Sequence, residues 1–203
     1  MGPPKLKSMV DQMLFISRLQ RSVDTFKLRD YEIVQVDECL FNSDHYKGKH
    51  WAPRGQPFKV VKRFLNQPKI VVIGGISCRN GNVHYKYGEF SFNSADVIDF
   101  LNKLRSKYVP GTKLAVFWDN CAIHKSLEVK QWLKQNDPAL ELIYNIPYRP
   151  DLNGIELVWK DCKQRYRGRV DYYKANNVSF DHQALVEDIV GATKEIVAKR
   201  SAL

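Results

Sequence analysis

No run of hydrophobic residues in this chain is long enough to cross a membrane. The longest strongly apolar stretch, Ile70–Ile76, falls far short of the ~20 residues that a bilayer requires. Residues 9–16 are apolar but interrupted by Asp11, and no small-residue cleavage site follows them, which argues against a signal peptide. Cysteine is sparse: Cys39, Cys78, Cys121 and Cys162 fall about forty residues apart, without a C-x-x-C pair. That spacing argues against a zinc site or a disulfide framework and predicts buried, reduced thiols in an intracellular protein. There is no internal repeat and no low-complexity tract. Acidic residues are missing altogether between His45 and Lys69, where Lys47, Lys49, Arg54, Lys59, Lys62, Arg63 and Lys69 surround Trp51.

What is present fits one soluble domain. The 203 residues suffice for a sizeable core, and 44% hydrophobic with 27% charged residues is an ordinary globular balance. The net charge of +10 is not ordinary. It makes a polyanion the first expected partner, with nucleic acid ahead of a membrane surface.

Periodicity supplies the elements. Residues 1–30 read as a linker or N-terminal extension, loosely helical and basic after the first ten, with the folded domain over 31–203. β-branched runs predict strands over 31–40, 69–78, 113–120 and 140–147. Asn80-Gly81 predicts a hairpin from 69–78 into 83–92. Helical spacing of apolar residues predicts helices over 93–108, 124–137, after Asn153, and over 181–199. Strands alternating with helices after an initial hairpin imply an α/β fold: a mixed five-stranded sheet flanked by helices.

Three carboxylates stand at points where such a sheet forms sites. Asp37 falls near the end of the first strand, Asp119 at the end of the fourth, and Glu156 at the start of the helix after the fifth. The carboxyl ends of adjacent parallel strands are where α/β sheets bind ligands. Two carboxylates ~4 Å apart repel by roughly 4 kcal/mol at an effective dielectric near 20, so three converging acids call for a cation. Oxygen-only ligands favour Mg²⁺ or Mn²⁺, and a pair of such ions suits phosphodiester chemistry. Glu156 also has a plainer reading. With Asn153 as N-cap it occupies the N3 position of a capping box.

In chain order, "VQVDE", "GKHWAPRGQP", "VFWDNCAIHK" and "PYRPDLNGIELVW" resemble the catalytic domain of DDE transposases of the mariner superfamily, including the related bacterial insertion-sequence enzymes. The resemblance runs from about Tyr31 to Arg167. In the last motif the family typically reads Ser-Pro-Asp-Leu-Asn-Pro-Ile-Glu, and Arg149 and Gly154 are departures from it. The resemblance implies a ribonuclease H-like fold, with Asp37, Asp119 and Glu156 as catalytic metal ligands for two ions of Mg²⁺ or Mn²⁺. It also implies double-stranded DNA as partner (element ends and target) and a homodimer assembled on that DNA. The compartment would be the nucleus in a eukaryote, otherwise the cytoplasm or nucleoid. Two alternatives stay open: a ribonuclease H-like nuclease that does not join, and a host-adopted DNA-binding or assembly module. Family members carry helix-turn-helix modules upstream, and the residues before Tyr31 hold no pair of them, so the expectation is an isolated catalytic domain.

Other residues take secondary places. Alternation turns Glu38 to the sheet face opposite Asp37. Asn120 and His124, in the second motif, are accessory candidates, His124 either near the site or at a helix start. Lys160, Lys163 and Arg167 follow Glu156 at i+4, i+7 and i+11. With Lys47, Lys49, Arg54 and Arg149 they are the expected DNA contacts, and Trp51 is a candidate anchor for a partner subunit.

Overall fold

A computed structural model describes residues 9–42, 54–55, 69–79, 81, 83–88, 92–137, 139–145 and 152–201. The elements run α1 (Met9–Leu28), β1 (Glu32–Asn42), β2 (Lys69–Ser77), β3 (Val83–Gly88), α2 (Ser94–Arg105), β4 (Leu114–Trp118), a 3-10 turn (Ala122–Lys125), α3 (Leu127–Asn136), β5 (Leu140–Tyr144), α4 (Ile155–Ala175) and α5 (His182–Ser201). The five strands form one sheet in the order β3-β2-β1-β4-β5. β1, β2 and β3 pair antiparallel, while β4 pairs parallel to both β1 and β5. The expected hairpin joins β2 to β3, with Gly81 in the left-handed region (φ 69°) donating its N–H to Ser77 O at 3.0 Å. Asn80 lies outside the described residues.

The sheet is buried on both faces because β4, Leu-Ala-Val-Phe-Trp, is apolar at every position and lies second from the sheet edge. On one face Val34, Val36, Ile73, Val116 and Trp118 pack with Val97, Phe100, Leu101 and Leu104 of α2 and Val129 of α3. On the other, Cys39, Phe41, Ile70 and Val72 meet Ile155, Trp159, Cys162 and Tyr166 of α4 and Leu185, Val186 and Ile189 of α5. Leu19, Val23 and Phe26 of α1 close the rest of that face over Ile33, Ala115, Phe117 and Ile143. The segment expected as a loosely helical extension therefore includes a 20-residue helix docked on the sheet. Among the described residues no helix is long and apolar enough to cross a membrane.

Local chemistry sets the helix starts. Asn93 caps α2 through a capping box, accepting from Ala95 and Asp96 N–H at 2.8 and 3.1 Å while Asp96 accepts from Asn93 N–H at 3.1 Å. The helix expected over 124–137 divides in two. Ser126 (ψ 158°) breaks the chain direction and its hydroxyl caps α3, leaving His124 in the separate 3-10 turn rather than at a helix start.

The cysteines are all free, but only Cys39 and Cys162 are buried; Cys78 and Cys121 are exposed in turns that follow β2 and β4. The expectation of four buried thiols fails for those two because each lies just past the last buried residue of its strand.

Close approach of α4 to the sheet depends on a glycine. Gly74 is directly opposite Asp37 across the β1–β2 ladder, and a β-carbon there would lie 2.5 Å from the indole of Trp159. Its absence lets the Trp159 indole pack directly against β2 at the position paired with Asp37.

Candidate functional site

β1 is longer than expected. It continues five residues beyond Asp37, so that acid does not end its strand. The parallel ladder with β4 does end there: its last pair is Gln35 with Phe117. β4 itself ends one residue later at Trp118, whose carbonyl accepts from Asn145 N–H at 2.7 Å as the last bond on the β5 side. Asp37 thus stands two residues past the last pair between these two adjacent parallel strands. Asp119 is the first residue after β4, and Glu156 lies in the first turn of α4. Because β1, β4 and β5 are neighbours, the return from β5 into α4 carries Glu156 back over β1.

The acids differ in their electrostatic surroundings. Burial raises the Asp37 carboxyl to about 7, and the charges of Glu156, Glu38 and Asp119 push it in the same direction. Asp119 is different. Burial would raise it, but His124, the Cys121 N–H at 2.9 Å and Lys125 together hold it below the usual carboxylate range.

His124 is the hub behind Asp119. It is fully buried and stacked on Trp118, with ring centroids 4.1 Å apart and planes 26° from parallel. Its Nε2 lies 2.9 Å from Glu38 Oε1, which also accepts from Trp118 Nε1–H at 3.2 Å. Its Nδ1 makes an ion-pair contact of 2.7 Å with Asp119 Oδ1, off the line of a well-formed hydrogen bond. Burial works against protonation, yet Asp119 and Glu38 outweigh it and lift the imidazole to about 9, so it is a cation at neutral pH. Glu38, His124 and Asp119 are also a group of potential metal ligands whose donor atoms lie within 4.8 Å of one another. With an imidazolium between two carboxylates, that trio already carries its own cation.

Glu38 therefore faces away from Asp37, as alternation requires, but it is not remote from the site. Its link to Asp119 through His124 joins residues far apart in sequence, and strand periodicity gives no signal of it. Asn120 braces the same region: its amide donates to Asn145 O and its oxygen accepts from Lys125 Nζ, tying the ends of β4 and β5 together. Lys125 also sits 4.5 Å over the Tyr144 ring.

The capping-box reading of Glu156 is corrected. The N-cap of α4 is Gly154, with no side-chain cap. Asn153 is buried and donates its Nδ2–H to Val36 O of β1 at 2.9 Å, while its Oδ1, the atom that would cap the helix, accepts no hydrogen bond. The Glu156 backbone N–H bonds Asn153 O within the turn.

Of the expected DNA contacts, Lys160 and Arg167 are exposed on α4 and Arg54 is exposed in a turn. Lys163 is half-buried beside Cys39, whose thiol burial pushes up to about 12 despite that neighbouring cation. Lys47, Lys49, Trp51 and Arg149 lie outside the described residues.

Residues 32–178 match the family described as DDE superfamily endonuclease. The chain is 31% identical over 131 residues to the "Insertion element IS630 uncharacterized 39 kDa protein" of Shigella sonnei, covering 64% of this chain and 37% of that one. It thus spans little more than a third of the length of this curated relative. Among solved structures it is similar to the Mos1 strand transfer complex (TM-score 0.56, 14% identity, 97% of this chain and 63% of that chain). It is also similar to the simian T-cell lymphotropic virus intasome (TM-score 0.51, 15% identity, 79% and 47%). The fold these share is ribonuclease H-like, and by its sequence match the chain belongs to the DDE superfamily endonuclease family.

Proposed function

We propose that this chain is the catalytic domain of a mariner/IS630-type transposase, which cuts a DNA strand at an element end and joins the freed end to target DNA. The observation that carries the reading is the placement of Asp37 on β1, Asp119 just past the neighbouring β4 and Glu156 in the first turn of α4, with the charges of Glu156 and Asp119 acting on Asp37, in a chain of net charge +10. The donor set fits a hard divalent ion. All three side chains offer only oxygen, and Asp37 is raised mainly by burial, with the charges of Glu156 and Asp119 adding in the same direction. The structurally similar Mos1 paired end complex has been solved with Mg and with Mn. Two such ions, when bound, would activate the attacking oxygen and stabilise the leaving one.

The chain's own residues then have distinct duties. Asp37, Asp119 and Glu156 hold the ions. His124 and the Cys121 N–H keep Asp119 ionised and fixed in orientation. Lys160, Lys163 and Arg167, with Arg54, Lys47, Lys49 and Arg149, contact phosphates and align the backbone without reading sequence. In the first step a water oxygen bonds to phosphorus, and the bond from phosphorus to the 3′ oxygen breaks, leaving a 3′-hydroxyl. In the second, that 3′ oxygen gives up its proton and bonds to a target phosphorus, while the bond from that phosphorus to the target strand's own 3′ oxygen breaks and leaves a new 3′-hydroxyl on the target. No protein side chain becomes covalently attached. Assembly as a homodimer on DNA belongs to the same reading, because joining needs two element ends held together.

The decisive experiment is incubation with end-labelled duplex DNA in Mn²⁺ and in chelator. Strand cleavage confined to Mn²⁺, with joined products, is expected. Cleavage without joining would favour a simple nuclease, and no cleavage in either condition would leave only a binding module. Binding to duplex DNA should also weaken steeply with salt. Replacing Lys160 and Arg167 with Ala should lower the log–log salt slope by about 0.9 for each phosphate that the side chain had neutralised. An unchanged slope in a filter-binding titration would remove those two residues from the DNA path.

A further inference from the structure

We propose that Gln35 is a positioning residue that sets the height of Glu156 over Asp37; the proposal rests on the metal-binding reading above. Gln35 is the last residue of β1 paired with β4, and it shares a strand face with Asp37 two residues on. Where that pairing ends, the loop leading into α4 takes the place of β4 beside β1. Gln35 Oε1 accepts the Gly154 N–H at 2.8 Å, and the next carbonyl of β1, Val36 O, accepts from Asn153 Nδ2–H at 2.9 Å. Two successive groups of β1 are thus bonded to the two residues that open α4. Glu156 follows within the first turn, so the strand that carries Asp37 also fixes where Glu156 begins.

Gly154 shows that this bond is built to shape. Its backbone (φ −63°, ψ −21°) is ordinary right-handed helix, open to any L-residue, and the residue is exposed. The obstacle to a side chain there is Gln35 itself: a β-carbon on Gly154 would lie 2.5 Å from Gln35 Oε1. Glycine is needed at 154 for the amide to seat, and Gln35 is needed for the seat to exist.

The test is Mn²⁺ affinity, measured by calorimetry on folded protein well below its melting temperature. Wild type should bind Mn²⁺, and Asp37→Asn should not. Gln35→Met keeps the side-chain length and removes the acceptor, and it should weaken Mn²⁺ binding roughly five- to tenfold, the worth of one neutral hydrogen bond. Gly154→Ala should weaken it comparably by pushing Gln35 away. In a Gln35→Ala background the same Gly154→Ala change should cost nothing further, because the space is then empty. Wild-type affinity in both Gln35→Met and Gly154→Ala would overturn the positioning role while leaving the metal site standing. So would strictly additive losses in the double variant. Absence of Mn²⁺ binding in wild type, or binding untouched by Asp37→Asn, would overturn the site reading and this inference with it.

Discussion

Asp37→Asn, Asp119→Asn and Glu156→Gln should each lower Mn²⁺-dependent strand cleavage by roughly 10²–10³-fold or more, the range seen when a group acting on a transition-state charge is removed. Each replacement keeps the shape of the side chain and removes one anionic ligand, so a loss of that size cannot come from packing. Full activity in any one variant would remove that residue from the site. The same three changes should separate in metal-free stability. Asp37→Asn removes the acid that burial and three neighbouring charges press upward, and the protein should unfold at higher urea than wild type. Glu156→Gln should give a smaller gain, since it removes one of those neighbouring charges. Asp119→Asn should be destabilising, because it breaks the ion pair with a buried imidazolium and leaves that cation only Glu38. Equal urea midpoints for all three variants in chelator would contradict this account of the site's electrostatics.

How far the sequence revealed this site depends on the range of each interaction. The strands and the hairpin were legible because alternation and Asn-Gly are local signals, whereas the adjacency of β1 and β4 was not, because β2, β3 and α2 intervene in the chain. The strand-end rule placed Asp119 correctly and Glu156 at its helix start. It misplaced the end of β1, because β1 keeps an antiparallel partner, β2, for five residues after it loses the parallel one. The capping box was a sound local pattern that lost to a tertiary bond. Val36 O needed a donor once the ladder with β4 had ended, and the buried Asn153 supplied it. The bridge from Glu38 through His124 to Asp119 had no sequence signal, since it spans separate elements. Gln35 had a faint one: it shares the period-2 face of Asp37 and lies among apolar β1 neighbours where a polar side chain needs a partner.

The stability of the metal-free protein should fall as pH rises from about 4 to about 9, through two groups acting in sequence. Asp37 has a folded value near 7, against 3.8 in an unfolded chain. Between those values the folded state keeps a proton that the unfolded state has released, so stability declines as pH climbs through that window. His124 is lifted from 6.5 to about 9 by Asp119 and Glu38. Its contribution is fully present below 6.5 and is lost as pH rises through 9. The acid limb is set by other groups: Asp96 and Asp99, held low by Lys86, and Asp119 all lose stability below the usual carboxylate range. Each of the two central groups carries on the order of 3–4 kcal/mol across its window, so the combined decline should be several kcal/mol. Urea midpoints in chelator at pH 5, 7 and 9 would measure it. Asp37→Asn should flatten the lower window and His124→Gln the upper one, the latter with a loss of stability at neutral pH. A wild-type midpoint that is level or rising from pH 5 to 9 would refute the scheme, as would an upper limb unchanged in His124→Gln. Divalent metal should flatten the lower limb. An ion held by Asp37 displaces its proton, so below pH 7 Mn²⁺ should bind up to about tenfold more tightly for each unit rise in pH. With its proton displaced in the folded state and already lost in the unfolded one, Asp37 should then contribute no slope, so the metal-bound protein should hold level stability over the range in which the metal-free protein loses it.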